Sequence, residues 1–278
     1  MSHVQSNRIE KKFCELKLKK QTGLICYIVG GYPDTKTSDK VISSIVDGGA
    51  DIIEIGIPFS DPIADGPIIQ EASFKALQNG INPDICLSLI RRTRKRYPDI
   101  PILIMTYSNI LHKKGFKKFM EIAKDAGTDG FILPDMTLEE SKDYLEYSKE
   151  LGLASVFLVA PNTSNLRIKK TLNVSTGFVY VVSVYGTTGM RNSFNKYTLT
   201  AIKNIKKLSS NRNNISVGFG ISTPDHIRLM SNYGADAVIV GSAIIQMIND
   251  NKDNNIPRLQ HELKKYVKLL KDACSNKQ

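Results

Sequence analysis

The chain has 278 residues, a net charge of +11 and a hydrophobic fraction of 41%. This length and composition allow a sizeable buried core, so we expect a globular protein. The opening residues are charged throughout and contain no apolar segment of signal-peptide length, and no run of about 18 apolar residues occurs elsewhere. A secreted or membrane-spanning protein is therefore not expected, and the predicted location is the cytoplasm.

The cysteines and the positive charge indicate no special site. Cys14, Cys26, Cys86 and Cys274 form no Cys-X-X-Cys pair and have no nearby histidine, so neither disulfides nor a metal site is predicted. Nucleic-acid binding is an alternative that RRTRKR (91–96) and KKGFKK (113–118) could support. Because acidic residues are interleaved and no aromatic stacking motif accompanies them, solvated helix faces are favoured, and the charge can attract anionic substrates.

Short β-rich runs alternate with helical stretches along the chain. The predicted strands lie at 24–29, 51–56, 101–105, 130–133, 154–159, 178–183, 215–219 and 237–241. Eight repeats in this length favour one closed (β/α)₈ barrel over residues 1–278 rather than a doubly wound open sheet. We expect an extra helix within residues 1–20, a closing helix at 257–272, and helices that open at Thr137 and Thr223.

The segment IIEIGIPFSDPIADGP (52–67) places a carboxylate in a run of isoleucines. If Ile53 and Ile55 face the surrounding helices, strand alternation turns Glu54 toward the barrel interior. Burial would raise the pKa of Glu54, so that it could donate a proton near neutral pH. The alternative is a structural ion pair between Glu54 and a lysine or arginine.

Two further carboxylates follow in the loop after this strand. Asp61 and Asp65 lie in SDP and ADG, which are also ordinary turn sequences in which aspartate caps backbone N–H groups. Catalytic groups of barrels sit in such loops, at the carboxyl ends of the strands. Two converging carboxylates could serve as an acid and a fixed negative charge.

Glycine-rich loops follow the last three predicted strands. They are YGTTGMR (185–191), GFGIS (218–222) and GSAII (241–245), and the last of them opens a short apolar helix. Glycines allow close backbone approach, and a helix N-terminus offers free N–H groups with a favourable dipole. The pattern predicts a phosphate site in the loops after strands seven and eight.

These motifs resemble the α-subunit family of tryptophan synthase. EIGIPFSDPIADGPIIQ (54–70) is similar to that family's signature, and GGYPD (30–34), MTYSN (105–109), DGFILPDM (129–136), VVSVYGTTG (181–189) and VGFGIS (217–222) match in order. The resemblance covers essentially the whole chain. It implies a (β/α)₈ barrel and retro-aldol cleavage of indole-3-glycerol phosphate to indole and glyceraldehyde 3-phosphate.

The resemblance also implies roles for individual residues. Glu54 matches a catalytic glutamate, Asp65 a catalytic aspartate, and Tyr180 an active-site tyrosine. Thr188 would hydrogen-bond Asp65 in a closed loop, or alternatively face water. The other matches are phosphate-binding positions, which are Gly189, Gly220, Gly241 and Ser242, and apolar walls of the indole pocket, which are Tyr27, Met105, Tyr107 and Phe219.

The resemblance implies a partner and no cofactor in this chain. The indole ring can serve as its own electron sink, and the pyridoxal phosphate would belong to a β subunit that receives indole within an α2β2 heterotetramer. Two alternatives remain at this point. A different phosphate-binding barrel enzyme would share the late glycines but has no reason to carry PFSDPIADGP, and a non-enzymatic activator of a partner could lose either carboxylate.

Overall fold

The computed structural model describes residues 7–183, 196–251 and 255–275, and its centre is a parallel sheet of nine strands. The strands are β1 (Gly23–Val29), β2 (Ile52–Gly56), β3 (Ile102–Met105), β4 (Gly130–Ile132), β5 (Ala154–Val156), β6 (Leu158–Val159), β7 (Phe178–Val182), β8 (Asn214–Gly218) and β9 (Ala237–Val240). They are rich in isoleucine and valine and almost wholly buried, as expected of a parallel sheet that is covered on both faces.

The sheet closes at an interrupted strand. Its order is β5-β4-β3-β2-β1-β9-β8-β7-β6, so the two outermost strands are separated in sequence only by Phe157. The Ser155 carbonyl accepts the Thr176 N–H at 2.9 Å and the Phe157 carbonyl accepts the Tyr180 N–H at 3.0 Å. The predicted barrel is thus confirmed, but the prediction of an unbroken strand at 154–159 was wrong, because the chain changes its pairing from β4 to β7 at Phe157.

Twelve helices surround the strands in the part of the chain that the structure describes. They are α1 (Arg8–Leu18), α2 (Thr35–Asp47), α3 (Pro67–Gln78), α4 (Pro83–Arg96), α5 (Ser108–Lys114), α6 (Phe116–Ala126), α7 (Lys142–Leu151), α8 (Asn165–Val174), α9 (Lys196–Ser209), α10 (Pro224–Asn232), α11 (Ser242–Asn251) and α12 (Ile256–Ala273). None of these helices is long and apolar enough to cross a membrane.

Most predicted helix starts agree with the structure. The extra N-terminal helix is α1, whose cap is Asn7, and residues 1–6 lie outside the described ranges. Thr223 caps α10, as predicted. The predicted start at Thr137 was wrong, because the Thr137 hydroxyl closes a local turn with Glu140 and α7 begins at Lys142.

A repeated triplet, Gly-X-Asp, anchors the amino-terminal ends of the strands. It occurs at 49–51, 127–129 and 234–236, and in each case the aspartate side chain accepts a backbone N–H of the neighbouring strand. The bonds join Asp51 to Leu24 at 2.8 Å, Asp129 to Ile102 at 2.8 Å and Asp236 to Ile215 at 2.9 Å. Each bond links the ends of two neighbouring strands through a charged acceptor. The triplet therefore fixes how the two strands are offset along their length.

A basic side chain forms an ion pair with the aspartate of each triplet and packs against the glycine of the same triplet. Lys271 pairs with Asp51 at 2.5 Å, Arg94 with Asp129 at 2.7 Å and Lys206 with Asp236 at 2.5 Å. The three glycines have φ near +100°, and a Cβ on Gly49, Gly127 or Gly234 would lie 3.1, 2.6 or 3.2 Å from the Cγ of that same basic residue. Glycine is therefore required both by the backbone and by the ion pair.

Alanine substitutions of Gly127 and Gly152, compared with each other, should separate the backbone requirement from the ion-pair requirement. Gly152 also has a positive φ, of +66°, but a Cβ there would meet no atom within 4 Å. We expect Gly152→Ala to lower the free energy of unfolding by about 1–2 kcal/mol through backbone strain alone. Gly127→Ala should cost about 3 kcal/mol, because Arg94 would have to shift from the buried Asp129 carboxylate, which would keep only Arg8 as a charged partner among the described residues. Equal losses in urea denaturation of the two variants would contradict a role for the ion pair.

Candidate active site

A cavity of about 370 Å³ lies where the carboxyl ends of the strands meet. Its lining includes nine of the predicted site residues: Tyr27, Glu54, Asp65, Met105, Tyr180, Phe219, Gly220, Gly241 and Ser242. Tyr107 lies beside it and bonds to Asp65. Thr188 and Gly189 fall outside the described residues. Residues far apart in sequence therefore converge on one site.

Glu54 is held on β2 with its side chain in the cavity wall. Its register partners are Tyr27 on β1 and Leu103 on β3, and the residue has 0% solvent exposure. Neither carboxyl oxygen has a hydrogen-bond partner among the described residues. The ion-pair alternative is thus wrong for the part of the chain that the structure describes. Burial, and then the negative charge of Asp65, raise the pKa of Glu54 to about 8.

Asp65 reaches the cavity from the loop after β2. Burial raises its pKa to about 6, while a hydrogen bond from the Tyr107 hydroxyl, at 3.2 Å to Oδ2, opposes this rise. The same hydroxyl accepts the Ala64 N–H at 3.0 Å, so it also holds the loop. Tyr107 is more than the predicted apolar wall. Asp61, by contrast, is exposed and does not line the cavity.

The two carboxyl groups hold different charges at neutral pH. With pKa values of about 8 and about 6, Glu54 is mostly protonated at pH 7 and Asp65 is mostly ionised. Environments that push two carboxyl pKa values apart assign one group to proton donation and the other to electrostatic stabilisation. The site can therefore protonate a bound molecule at one point and stabilise positive charge at another.

Two tyrosines enter the barrel over glycines. A Cβ on Gly56 would lie 2.2 Å from the Tyr27 hydroxyl oxygen, and one on Gly218 would lie 2.2 Å from that of Tyr180. Any larger residue at either strand end would displace the ring. Burial raises the pKa of both phenols well above the ordinary value, and the nearby carboxylates add to the rise, so both hydroxyls stay protonated.

Backbone segments after β8 and β9 form a rim of the cavity. Phe219 and Gly220 have φ of +74° and +73°, and Gly241 and Ser242 lead into the N-terminus of α11. The first N–H groups of a helix have no partner within it, and with the helix dipole they favour an anion. A Cβ on Gly241 would lie only 3.1 Å from Cδ1 of Tyr27, so the Gly241 backbone packs closely against the Tyr27 ring.

Sequence reasoning missed two residues that support the site. The Ser183 hydroxyl donates a bond to the Gly218 carbonyl at 2.5 Å and contacts the Phe219 carbonyl. The Asp135 carboxylate accepts the Ser108 N–H at 3.0 Å and the Ser108 hydroxyl at 2.6 Å, which ties the loops after β3 and β4 together. Ser183 is the last residue of a predicted strand and Asp135 lies two residues beyond another, and this position near a strand end was the available signal. No group of three potential metal ligands occurs in the described ranges.

A parallel barrel with two carboxyl groups of separated pKa and a backbone rim at its carboxyl end is typical of a (β/α)₈-barrel enzyme of the acid–base class. A family model described as "Tryptophan synthase alpha chain" matches residues 13–275. The chain belongs to this family, whose members are lyases. The match decides against the alternative of a different phosphate-binding barrel family.

Individual relatives agree with this family. The tryptophan synthase alpha chain of Thermoanaerobacter pseudethanolicus is 42% identical over 270 residues, 96% of this chain and 99% of the relative. A crystal structure of the tryptophan synthase alpha chain from Legionella pneumophila has a TM-score of 0.87 at 30% identity, covering 98% of both chains. An aminoacrylate-bound tryptophan synthase structure from M. tuberculosis has a TM-score of 0.84 at 29% identity, covering 97% of this chain and all of that one.

Removal of the Tyr107 hydroxyl should make Asp65 a weaker acid. The hydrogen bond from Tyr107 lowers the pKa of Asp65, so in Tyr107→Phe this pKa should rise above about 6 and a smaller fraction of Asp65 should be ionised at pH 6.5. Carboxyl ¹³C NMR of aspartate-labelled protein would measure the shift, with Tyr97→Phe as a control far from the site. An unchanged Asp65 titration in Tyr107→Phe would contradict the proposed hydrogen bond.

Proposed function

We propose that this chain cleaves indole-3-glycerol phosphate to indole and glyceraldehyde 3-phosphate at the cavity that Glu54 and Asp65 line. The observation that carries the proposal is the buried carboxyl of Glu54, which has no hydrogen-bond partner among the described residues and a pKa raised to about 8. Such a group stores a proton at neutral pH in a water-poor site, as a general acid requires. Family membership supports the choice of reaction.

Glu54 moves one proton through the reaction. Its carboxyl group protonates C3 of the indole ring, which makes the ring nitrogen iminium-like and prepares it to accept electrons. The resulting Glu54 carboxylate removes the proton from the glycerol hydroxyl next to the bond that breaks. The carbon–carbon bond then cleaves, its electrons return to the ring, and an aldehyde and indole form. The net transfer is one proton from the hydroxyl to C3, and Glu54 ends as it began.

Asp65 stabilises the charge that this transfer creates. As an ionised group it can accept a hydrogen bond from the indole N–H and offset the positive charge that develops on the ring. Tyr180, a buried residue in the lining of the same cavity, would complete the catalytic set. The apolar lining from Tyr27, Met105 and Phe219 would hold the indole ring, and the hydroxyl of Tyr107 would keep Asp65 ionised.

The backbone rim would bind the phosphate. Gly220, Gly241 and Ser242 line the same cavity as Glu54, so one substrate could reach the rim and the carboxyl group at once. Gly189 and Thr188 are included in the proposal on the basis of the resemblance alone. The phosphate dianion suits a helix N-terminus and the positive field of this chain.

The proposal extends to the state of the protein in the cell. We infer that residues 1–278 act as one cytoplasmic barrel domain that needs no cofactor of its own. Its partner would be a β subunit with pyridoxal phosphate, in an α2β2 heterotetramer, and indole would pass to that subunit. Family membership supports such a partner.

Glu54→Gln should abolish cleavage and at the same time stabilise the protein at high pH. Loss of the general acid should lower the rate about 10²- to 10⁴-fold, because an amide cannot exchange the proton. The pKa of Glu54 is raised from 4.5 to about 8, so the native state holds the proton more tightly, and stability falls as pH rises through this window. The glutamine variant lacks this loss.

The two effects can be measured on one pair of variants. Indole production with the β subunit present gives the rate, and urea denaturation at pH 5 and pH 9 gives the stability. Glu121→Gln, which changes an exposed glutamate on α6, serves as the control. Cleavage by Glu54→Gln at a tenth or more of the wild-type rate would overturn the acid–base role.

A further inference from the structure

The backbone of Ser222 is held from outside the cavity by two side chains that the proposed reaction does not use. Its N–H donates to Nδ1 of His226, on α10, at 3.3 Å. Its carbonyl accepts a hydrogen bond from the Tyr266 hydroxyl, on α12, at 2.8 Å. Two helices of the outer layer therefore fix the backbone on both sides of one residue that lines the cavity.

His226 lies in a modified helix cap. Thr223 is the N-cap of α10, and its hydroxyl accepts the His226 N–H at 3.3 Å. In the usual capping box the third helical residue is Glu or Gln, and its side chain returns to the N–H of the cap residue. Here the imidazole reaches one residue further back, to Ser222. The cap is thus extended from the helix into the cavity rim.

The rim needs such support because its backbone is strained. Phe219 has a φ of +74°, which costs a residue with a Cβ about 1–2 kcal/mol. Ser183 holds the carbonyl groups at the start of the turn formed by residues 219–222. His226 and Tyr266 hold its other end. All four residues of this turn line the cavity.

The charge state of His226 suits this role. Its Nδ1 can accept the Ser222 N–H only without a proton. Burial lowers its pKa below the ordinary 6.5, although a hydrogen bond to the Gly220 backbone and the charge of Asp225 act against this. The imidazole thus interacts with the backbone at both Gly220 and Ser222. Asp225 is itself paired with Arg228 at 2.7 Å, which moderates its effect.

We propose that His226 and Tyr266 are positioning residues that set the affinity of this enzyme for the phosphate end of its substrate. They hold the 219–222 turn in the shape that presents its backbone to the anion, and neither side chain touches the substrate. The inference rests on the proposed phosphate site. The turn carries neither of the two carboxyl groups, Glu54 and Asp65. A less rigid turn should therefore weaken substrate binding and leave the rate of the chemical step unchanged.

We call the two hydrogen bonds from His226 and Tyr266 to the Ser222 backbone the clamp. Three variants test it. His226→Leu removes the acceptor, His226→Asn keeps an oxygen acceptor near the position of Nδ1, and Tyr266→Phe removes only the hydroxyl. Loss of one such bond should raise the Kd for glycerol 3-phosphate and the KM for indole-3-glycerol phosphate about five- to tenfold in His226→Leu, and about threefold or more in Tyr266→Phe. The kcat should change less than about twofold, and His226→Asn should stay within about twofold of wild type in all constants.

The controls separate this inference from the proposed function. His261 is an exposed histidine on α12, and His261→Leu should leave the Kd for glycerol 3-phosphate and the KM for indole-3-glycerol phosphate unchanged. Failure of the wild-type protein to bind glycerol 3-phosphate would overturn the phosphate site, and the clamp with it. If the wild type binds, an unchanged Kd in His226→Leu would overturn the clamp alone. Equal losses in His226→Leu and His226→Asn, or a kcat that falls together with the melting temperature, would also overturn it.

Discussion

The desolvation of one carboxyl group governs this site. Glu54 is placed by strand register among isoleucines, with 0% exposure and no hydrogen-bond partner in the described ranges. An ionised carboxylate is expensive there, so the group keeps its proton at neutral pH. The other features of the site serve this state: Asp65 adds negative charge nearby, and Tyr107 keeps Asp65 itself ionised by a hydrogen bond. The two carboxyl groups thus differ in charge at neutral pH because of their environments and not because of their chemical type.

The opposite end of the barrel supplies the rigidity that such a site requires. A buried unpaired carboxyl and a phenylalanine with positive φ both lower stability, and they persist only where the surroundings fix them. The three Gly-X-Asp triplets tie strand ends to one another and to α4, α9 and α12 by charged bonds. Ser183, His226 and Tyr266 do the same for the strained turn. Stability is concentrated at the amino-terminal ends of the strands and chemistry at the carboxyl ends, as the barrel architecture favours.

Period and motif predicted the barrel and most of the cavity lining, whereas contacts between distant residues could not be predicted. The alternation of residues along the strand predicted that Glu54 faces the barrel interior. The glycines predicted a rim after the seventh and eighth predicted strands, which are β8 and β9 in the structure. The break at Phe157 was missed because a change of pairing partner leaves no mark in an apolar run. Tyr107 was assigned to an apolar wall because a sequence does not show which group its hydroxyl meets. The start of α7 was misplaced because Thr137 has the residue type of a cap but closes a turn instead. Thr188 and Gly189 lie outside the described residues, so their roles stay predictions.

Titration of Glu54 itself shows most directly whether this carboxyl group holds a proton at neutral pH. Carboxyl ¹³C NMR of glutamate-labelled protein, with the Glu54 signal assigned by its loss in a substituted variant, would follow one group from acidic to alkaline pH. We expect a pKa of about 8 for this signal, against an ordinary value of 4.5. A Glu54 signal that titrates near 4.5 would show an ionised group at neutral pH, and the proton donor on which the mechanism depends would be absent.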